Sequence, residues 1–234
     1  TQEVDLCGHA TIAWAYFLSR RGLESGMYHQ RTKACSRPLE IQITDEGTIS
    51  MEQALPQFYD VLERRIVAEC LRLPEEALMV PGKGNTKLPI QIVSTGMRDI
   101  VVPVRNLQTL LEVAPDLDAI ARLTRQYHTD GLHAFTLQTK YGSTAHSRNF
   151  APACDIPEEA ATGSSTGALA CYLFQYGALG YPESRRFAFE QGYSMGRPSE
   201  ILVRLVTEDN RITGVYVGGT AQFLEEKVLK VGAR

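Results

Sequence analysis

Glu3-Val-Asp-Leu-Cys7-Gly8-His9-Ala-Thr11-Ile-Ala13-Trp-Ala15-Tyr-Phe-Leu18-Ser-Arg-Arg-Gly22 is echoed 155 positions later by Glu158-Glu159-Ala-Ala-Thr162-Gly163-Ser164-Ser165-Thr166-Gly-Ala168-Leu-Ala170-Cys-Tyr-Leu173-Phe-Gln-Tyr-Gly177. Seven positions are identical in this register: Glu3/Glu158, Gly8/Gly163, Thr11/Thr166, Ala13/Ala168, Ala15/Ala170, Leu18/Leu173 and Gly22/Gly177. Small residues occupy the opening turn, apolar residues fill the body, and a glycine follows the end as a C′ cap. Each copy therefore reads as a helix, about 7–21 and about 163–176, that is apolar almost all round. Such a helix has to be enclosed on every side. A repeat of this kind sets the architecture, here two similar lobes whose polar helix starts face one another across a cleft.

Working outward, short strand-like runs follow the first helix at about 26–31, 39–44 and 47–51, with a turn signal at Asp45-Glu46-Gly47. The apolar spacing of Val61, Leu62, Ile66, Val67, Cys70 and Leu71 predicts an amphipathic helix over 59–71. Pro74 opens a short helical turn, and Pro81-Gly-Lys-Gly-Asn-Thr-Lys87 reads as the interlobe linker. It has a phosphate-loop flavour but not the required spacing. Runs at 89–94 and 99–104 flank a Thr95-Gly96-Met97-Arg98 hairpin turn, and helical spacing returns over 116–128. Strands are predicted at 133–138, 147–150, 187–190, 201–207 and 212–217, with Gly218-Gly219 marking a close backbone approach or a bulge. The fold class is α+β: two lobes, each a β-barrel-like sheet wrapped around its apolar helix. The expected division is 1–87 and 88–234, with the last strand returning to the first lobe.

The composition narrows the function classes. The charged share is 22%, the net charge is −3 and the basic residues are scattered, so no nucleic-acid footprint is present. No stretch has the roughly 18 uninterrupted apolar residues that span a bilayer. Cys7, Cys35, Cys70, Cys154 and Cys171 are odd in number and lack Cys-x-x-Cys spacing, which points to reduced thiols in the cytoplasm. Cys7 and His9 are too isolated to argue for a metal site.

The first turn of a helix carries free N–H groups and a partial positive charge. Gly8 and Gly163 let a ligand approach the backbone there, and a carboxylate or oxyanion would be held between two such ends. Cys7, His9, Glu159 and Ser164 then supply a thiol, an imidazole, a carboxylate and a hydroxyl, a set able to move a proton on a carbon next to a carboxylate. Thr162 completes the second turn. Each of these residues also has a plain structural use: Ser and Thr as caps, Cys7 as a small core residue, and Glu158 and Glu159 as first-turn acids. His29, His128, His133 and His146 are assigned surface or capping roles by default.

Residues 3–11, joined to Asn-Phe-Ala-Pro-Ala (149–153) and Pro-Glu-Glu-Ala-Ala-Thr-Gly-Ser (157–164), resemble the phenazine-biosynthesis PhzF-like family, which has the diaminopimelate-epimerase-like fold. Ser94-Thr95-Gly96 and Gly219-Thr220-Ala221 also fit. The resemblance implies a site between two lobes, a small carboxylate-bearing substrate, cofactor-independent isomerisation by proton transfer, and a homodimer. Gly8 and His9 match the family's first active-site turn; Gly163 and Ser164 match the second. Glu159 stands where the family usually has aspartate, and Ala160 where it has proline. An upstream Asn-x-Ser-Glu-type segment, whose glutamate is the family's principal acid/base, has no counterpart here, so a fragment of low activity is expected unless that segment is supplied. Two alternatives remain open: a thiol-based dehydratase related to proline racemases that uses Cys7, and a truncated member that binds a ligand or partner without turning it over.

Overall fold

A computed structural model describes residues 7–33, 36–178, 185–223 and 225. Glu3 and Cys35 lie outside them. Among the described residues the strands form one 12-stranded sheet. In chain order they are β1 (Gly26–Gln30), β2 (Leu39–Ile43), β3 (Ile49–Gln53), β4 (Gln57–Leu62), β5 (Ile90–Ser94), β6 (Arg98–Pro103), β7 (Gly131–Thr136), β8 (Ala145–Ala151), β9 (Ile156–Glu159), β10 (Arg186–Gln191), β11 (Ser199–Glu208) and β12 (Arg211–Gly219). The helices are α1 (Gly8–Ser19), α2 (Arg64–Leu71), α3 (Leu107–Glu112), α4 (Leu117–Tyr127) and α5 (Gly163–Gln175). The sheet runs β1-β2-β3-β12-β11-β10-β8-β7-β6-β5-β4, and β9 pairs on β8.

Three cores follow from this order. α5 is sheathed by the curled sheet: Leu169, Tyr172 and Leu173 pack with Val101, Phe135, Phe189, Val203 and Val215. The outer face of β5–β8 packs on α2, α3 and α4 through Ile92, Ile100, Leu132 and Phe150 against Val67, Leu71, Leu110 and Ile120. β5, β6 and β7 are thus buried on both faces, which is why their sequences run apolar instead of alternating. The third core is small: Ala15 of α1 on Ile41, Ile43, Ile49 and Met51.

The enclosure expected for both apolar helices holds for α5, whose residues Ser165–Phe174 are all buried. It does not hold for α1 among the described residues. Only Thr11 and Ala15 are buried, while Trp14 is 53% and Phe17 43% exposed, because β1–β3 cover a single side.

The expected helix over 59–71 divides in two. Residues 57–62 pair as a strand with β5, and the helix begins at Arg64. The apolar spacing suits a helix, but β5 would otherwise present an unpaired edge, and tertiary pairing overrides the local pattern. Because β4 pairs with β5 and α2 packs on the outer face, residues 57–87 associate with the strands that follow them. The expected boundary at 87 falls inside that unit. Pro81–Lys87 closes on itself through a Pro81–Lys87 bridge as a loop between α2 and β5. β12 pairs with β3 and so joins the first three strands to the rest.

Candidate active site

One cross-strand pair sets the geometry. Met51 on β3 and Val217 on β12 are register partners. Each supports the opening turn of a different helix: a Cβ added to Gly8 would meet Met51 Cε at 3.8 Å, and one added to Gly163 would meet Val217 Cγ1 at 3.3 Å. One turn further along α5, a Cβ on Gly167 would lie 2.8 Å from Val217 Cγ2. Only glycine lets α5 lie this close to the sheet. The two helix starts therefore sit side by side, and His9 bridges them: its Nε2 meets the Ala161 carbonyl at 2.5 Å.

Around that bridge the second turn is held from several sides. Thr162 is the N-cap residue of α5 by position, yet its hydroxyl does not cap the helix. It donates to Glu159 Oε2 at 2.6 Å and lies 3.0 Å from Gln191 Nε2, a donor to it. Gln191 also donates to the Glu159 carbonyl at 2.8 Å and accepts from the Thr162 amide at 3.2 Å. One buried glutamine thus fixes the whole Glu159–Thr162 turn. Thr95 Oγ1 donates to the Ser164 carbonyl at 3.3 Å. The Ser164 hydroxyl makes no hydrogen bond among the described residues, which leaves it available at the helix start. Cys7 is the N-cap of α1, exposed, with no side-chain capping bond.

The structure brings His9, Glu159, Thr162 and the helix-start residues Cys7, Gly8, Gly163 and Ser164 to one place. Neighbouring Glu158 points elsewhere. Arg148 Nε and Nη2 clamp its carboxylate at 2.9 Å, and Ser194 Oγ donates at 2.7 Å. Burial would raise the Glu158 carboxyl, but these donors and the guanidinium charge outweigh it and hold the group below its usual range. Arg148 Nη1 also donates to the carbonyls of Leu110 and Val113, so the pair pins β9 to the end of α3.

Sequence reasoning missed a polar layer beneath the start of α5. Asp99, His133, Asn149 and Gln191 come from β6, β7, β8 and β10 and are all buried. Ser165 Oγ donates to Asp99 Oδ2 at 2.8 Å, and His133 Nδ1 meets Asn149 Oδ1 at 3.1 Å. Burial drives His133 down to about 4, so it is neutral, and its Nε2 is buried without a partner. His146 is likewise buried; its Nδ1 meets Glu190 Oε2 at 2.8 Å on the opposite face of the sheet. The default surface assignment thus fails for His133 and His146, whereas His128 is the left-handed C-cap of α4. These polar side chains interrupt apolar strands, the one signal that would have revealed them.

The phenazine biosynthesis-like protein family matches residues 1–227. The chain belongs to that family. It is 31% identical over 235 residues to the uncharacterized isomerase YfhB of Bacillus subtilis, covering 98% of this chain and 77% of that protein. It is 25% identical over 228 residues to a trans-2,3-dihydro-3-hydroxyanthranilate isomerase of Pseudomonas aeruginosa, covering 96% and 74%. The crystal structure of a PhzF-family phenazine biosynthesis protein from Bacillus anthracis superposes with a TM-score of 0.84 at 26% identity, over 98% of this chain and 77% of that one. Chain and relatives share the diaminopimelate-epimerase-like fold, and this member of the phenazine biosynthesis-like family is an isomerase. No helix among its described residues is long and apolar enough to cross a membrane.

Proposed function

We propose that the chain isomerises a small carboxylate-bearing metabolite by moving a proton between two carbons, without a cofactor, at the facing starts of α1 and α5. The observation that carries this reading is the His9–Ala161 contact across the Met51–Val217 pair, which gives two positive helix ends a single focus. In this reading the substrate carboxylate lies against the backbone N–H groups at Gly8, Gly163 and Ser164, with the Ser164 hydroxyl as a further donor. His9 and Glu159 stand on either side as proton carriers. One C–H bond breaks as its proton passes to a base, the electron pair moves through the adjacent double bond, and a proton is returned to the far carbon. Nothing is oxidised or reduced.

Glu159 takes the place of the family's aspartate, and its hydrogen bond from Thr162 directs the longer side chain back toward the turn. That supports a retained carboxylate function. The relative that acts on trans-2,3-dihydro-3-hydroxyanthranilate supplies the first substrate to try. The chain is incubated with that compound in deuterium oxide, and product formation is followed with deuterium at carbon. Isomerisation with solvent label supports the reading. Binding of the stable aromatic analogue anthranilate without turnover or label instead favours a binding-only member. Failure to bind either compound removes the anion-site assignment.

A further inference from the structure

Asp99 is buried to 1% exposure at the start of β6, yet among the described residues no arginine or lysine hydrogen-bonds to it. The hydrogen bond it does make comes from Ser165 Oγ at 2.8 Å. Ser165 is the third residue of α5 and lies in the turn that carries the free amides. The groups around Asp99 are acidic or neutral on every side. Val93 of β5 and Gly131 of β7 are its register partners. Asp130, in the turn before β7, accepts from the Arg98 amide. Glu159 approaches from β9 and Cys154 from the turn before it, while the Arg98 guanidinium is stacked 4.3 Å over Tyr59. Burial, with the negative charges of Asp130 and Glu159, pushes the Asp99 carboxyl up to about 7 against the opposing bond from Ser165.

A carboxylate ion here would place a second negative charge beneath the same positive helix end that a substrate carboxylate needs. We propose that Asp99 is a positioning residue that, in its neutral form beneath the first turn of α5, leaves that end open to an anionic ligand, so that carboxylate binding is accompanied by proton uptake at Asp99. The inference rests on the anion-binding role given above to the helix starts. Two like charges about a nanometre apart at an effective dielectric of about 20 interact strongly enough to change a binding constant about tenfold. Deprotonation of Asp99 is therefore expected to weaken carboxylate binding by about that factor.

The probe is anthranilate, titrated calorimetrically from about pH 6 to about pH 8.5, a range in which an ordinary carboxyl is ionised. Wild type should lose about tenfold in affinity across this range, and binding heats in two buffers of different ionisation enthalpy should reveal proton uptake. Asp99→Asn should remove both the loss and the uptake. Ser165→Ala should shift the break to higher pH, because the bond that favours the ionised form is gone; it also carries the test if Asp99→Asn does not fold. A residue that only anchors α5 to β6 would change affinity or stability without moving the pH profile. Identical profiles for wild type and Asp99→Asn, or an unmoved break in Ser165→Ala, overturn the role of Asp99 and leave the anion site standing. Absence of binding by wild type throughout the range overturns the anion site, and this inference with it.

Discussion

Gly218→Ala should part the two halves of the sheet. A Cβ at this position would lie 1.9 Å from the Ile49 carbonyl oxygen and 2.6 Å from Ser50 Cα, both backbone atoms of the partner strand β3. Ordinary van der Waals contact begins at 3.4 Å, so β3 would have to retreat by about 1.5 Å. Ladder hydrogen bonds do not survive that retreat. Losing two of them costs about 1 kcal/mol each, and forcing atoms into a filled space adds about 1–3 kcal/mol, for a total of about 3–5 kcal/mol. Gly219→Ala is the internal control. Its Cβ would meet only the Glu200 carbonyl at 3.4 Å, so it should stay within about 0.5 kcal/mol of wild type. Urea unfolding followed by circular dichroism gives both numbers. The substitution should also separate the helix starts, because α1 rests on Met51 and α5 on Val217 across this same ladder. Anthranilate binding should fall in Gly218→Ala beyond what the unfolded fraction explains. Equal unfolding midpoints for the two variants would refute the argument that the ladder is closed to a methyl group at 218 alone.

Cys7→Ser should leave turnover and deuterium labelling near wild type, whereas His9→Asn should lower turnover about 10²–10⁴-fold, the usual contribution of a positioned acid or base; the reverse ranking would point to the thiol dehydratase. Glu158 has a depressed folded pKa, so its stabilising contribution is present above the ordinary value of 4.5 and is lost as pH falls through the folded value. Glu158→Gln should therefore flatten the acid side of the stability–pH curve, measured by thermal unfolding below about pH 5. Burial pushes the Cys171 thiol up to about 12, so mass mapping after brief alkylation should find Cys7 modified and Cys171 untouched until the chain unfolds.

Much of the fold was legible because helix and strand periodicities are local. The duplicated pattern located α1 and α5, and the alternation in β2, β3, β11 and β12 followed from having one buried face. Gly218-Gly219 announced a close approach of backbones. The bulge, the other reading of that pair, sits instead near Thr213, where β11 and β12 change register between Val206 and Thr207. The strand at 57–62 was hidden because Val61, Leu62 and Ile66 fit a helix equally well, and only the open edge of β5 decides. α3 and β9 are too short to carry a period. The residues of the helix starts were legible too, since Gly8, His9, Gly163 and Ser164 belong to a repeated motif.

Their partners were not legible. Gln191 holds the Glu159–Thr162 turn, Arg148 draws Glu158 away from it, and Asp99 lies under Ser165, each from a strand distant in sequence. The two apolar helices, their polar starts and the chemical groups on them depend on neighbours within a few residues along the chain, so they can be read before any folding is known. Which groups meet depends on burial and long-range strand pairing, which set the side chains that share a face. The register that puts Met51 opposite Val217 is a property of two strands more than 160 residues apart, and no local pattern encodes it.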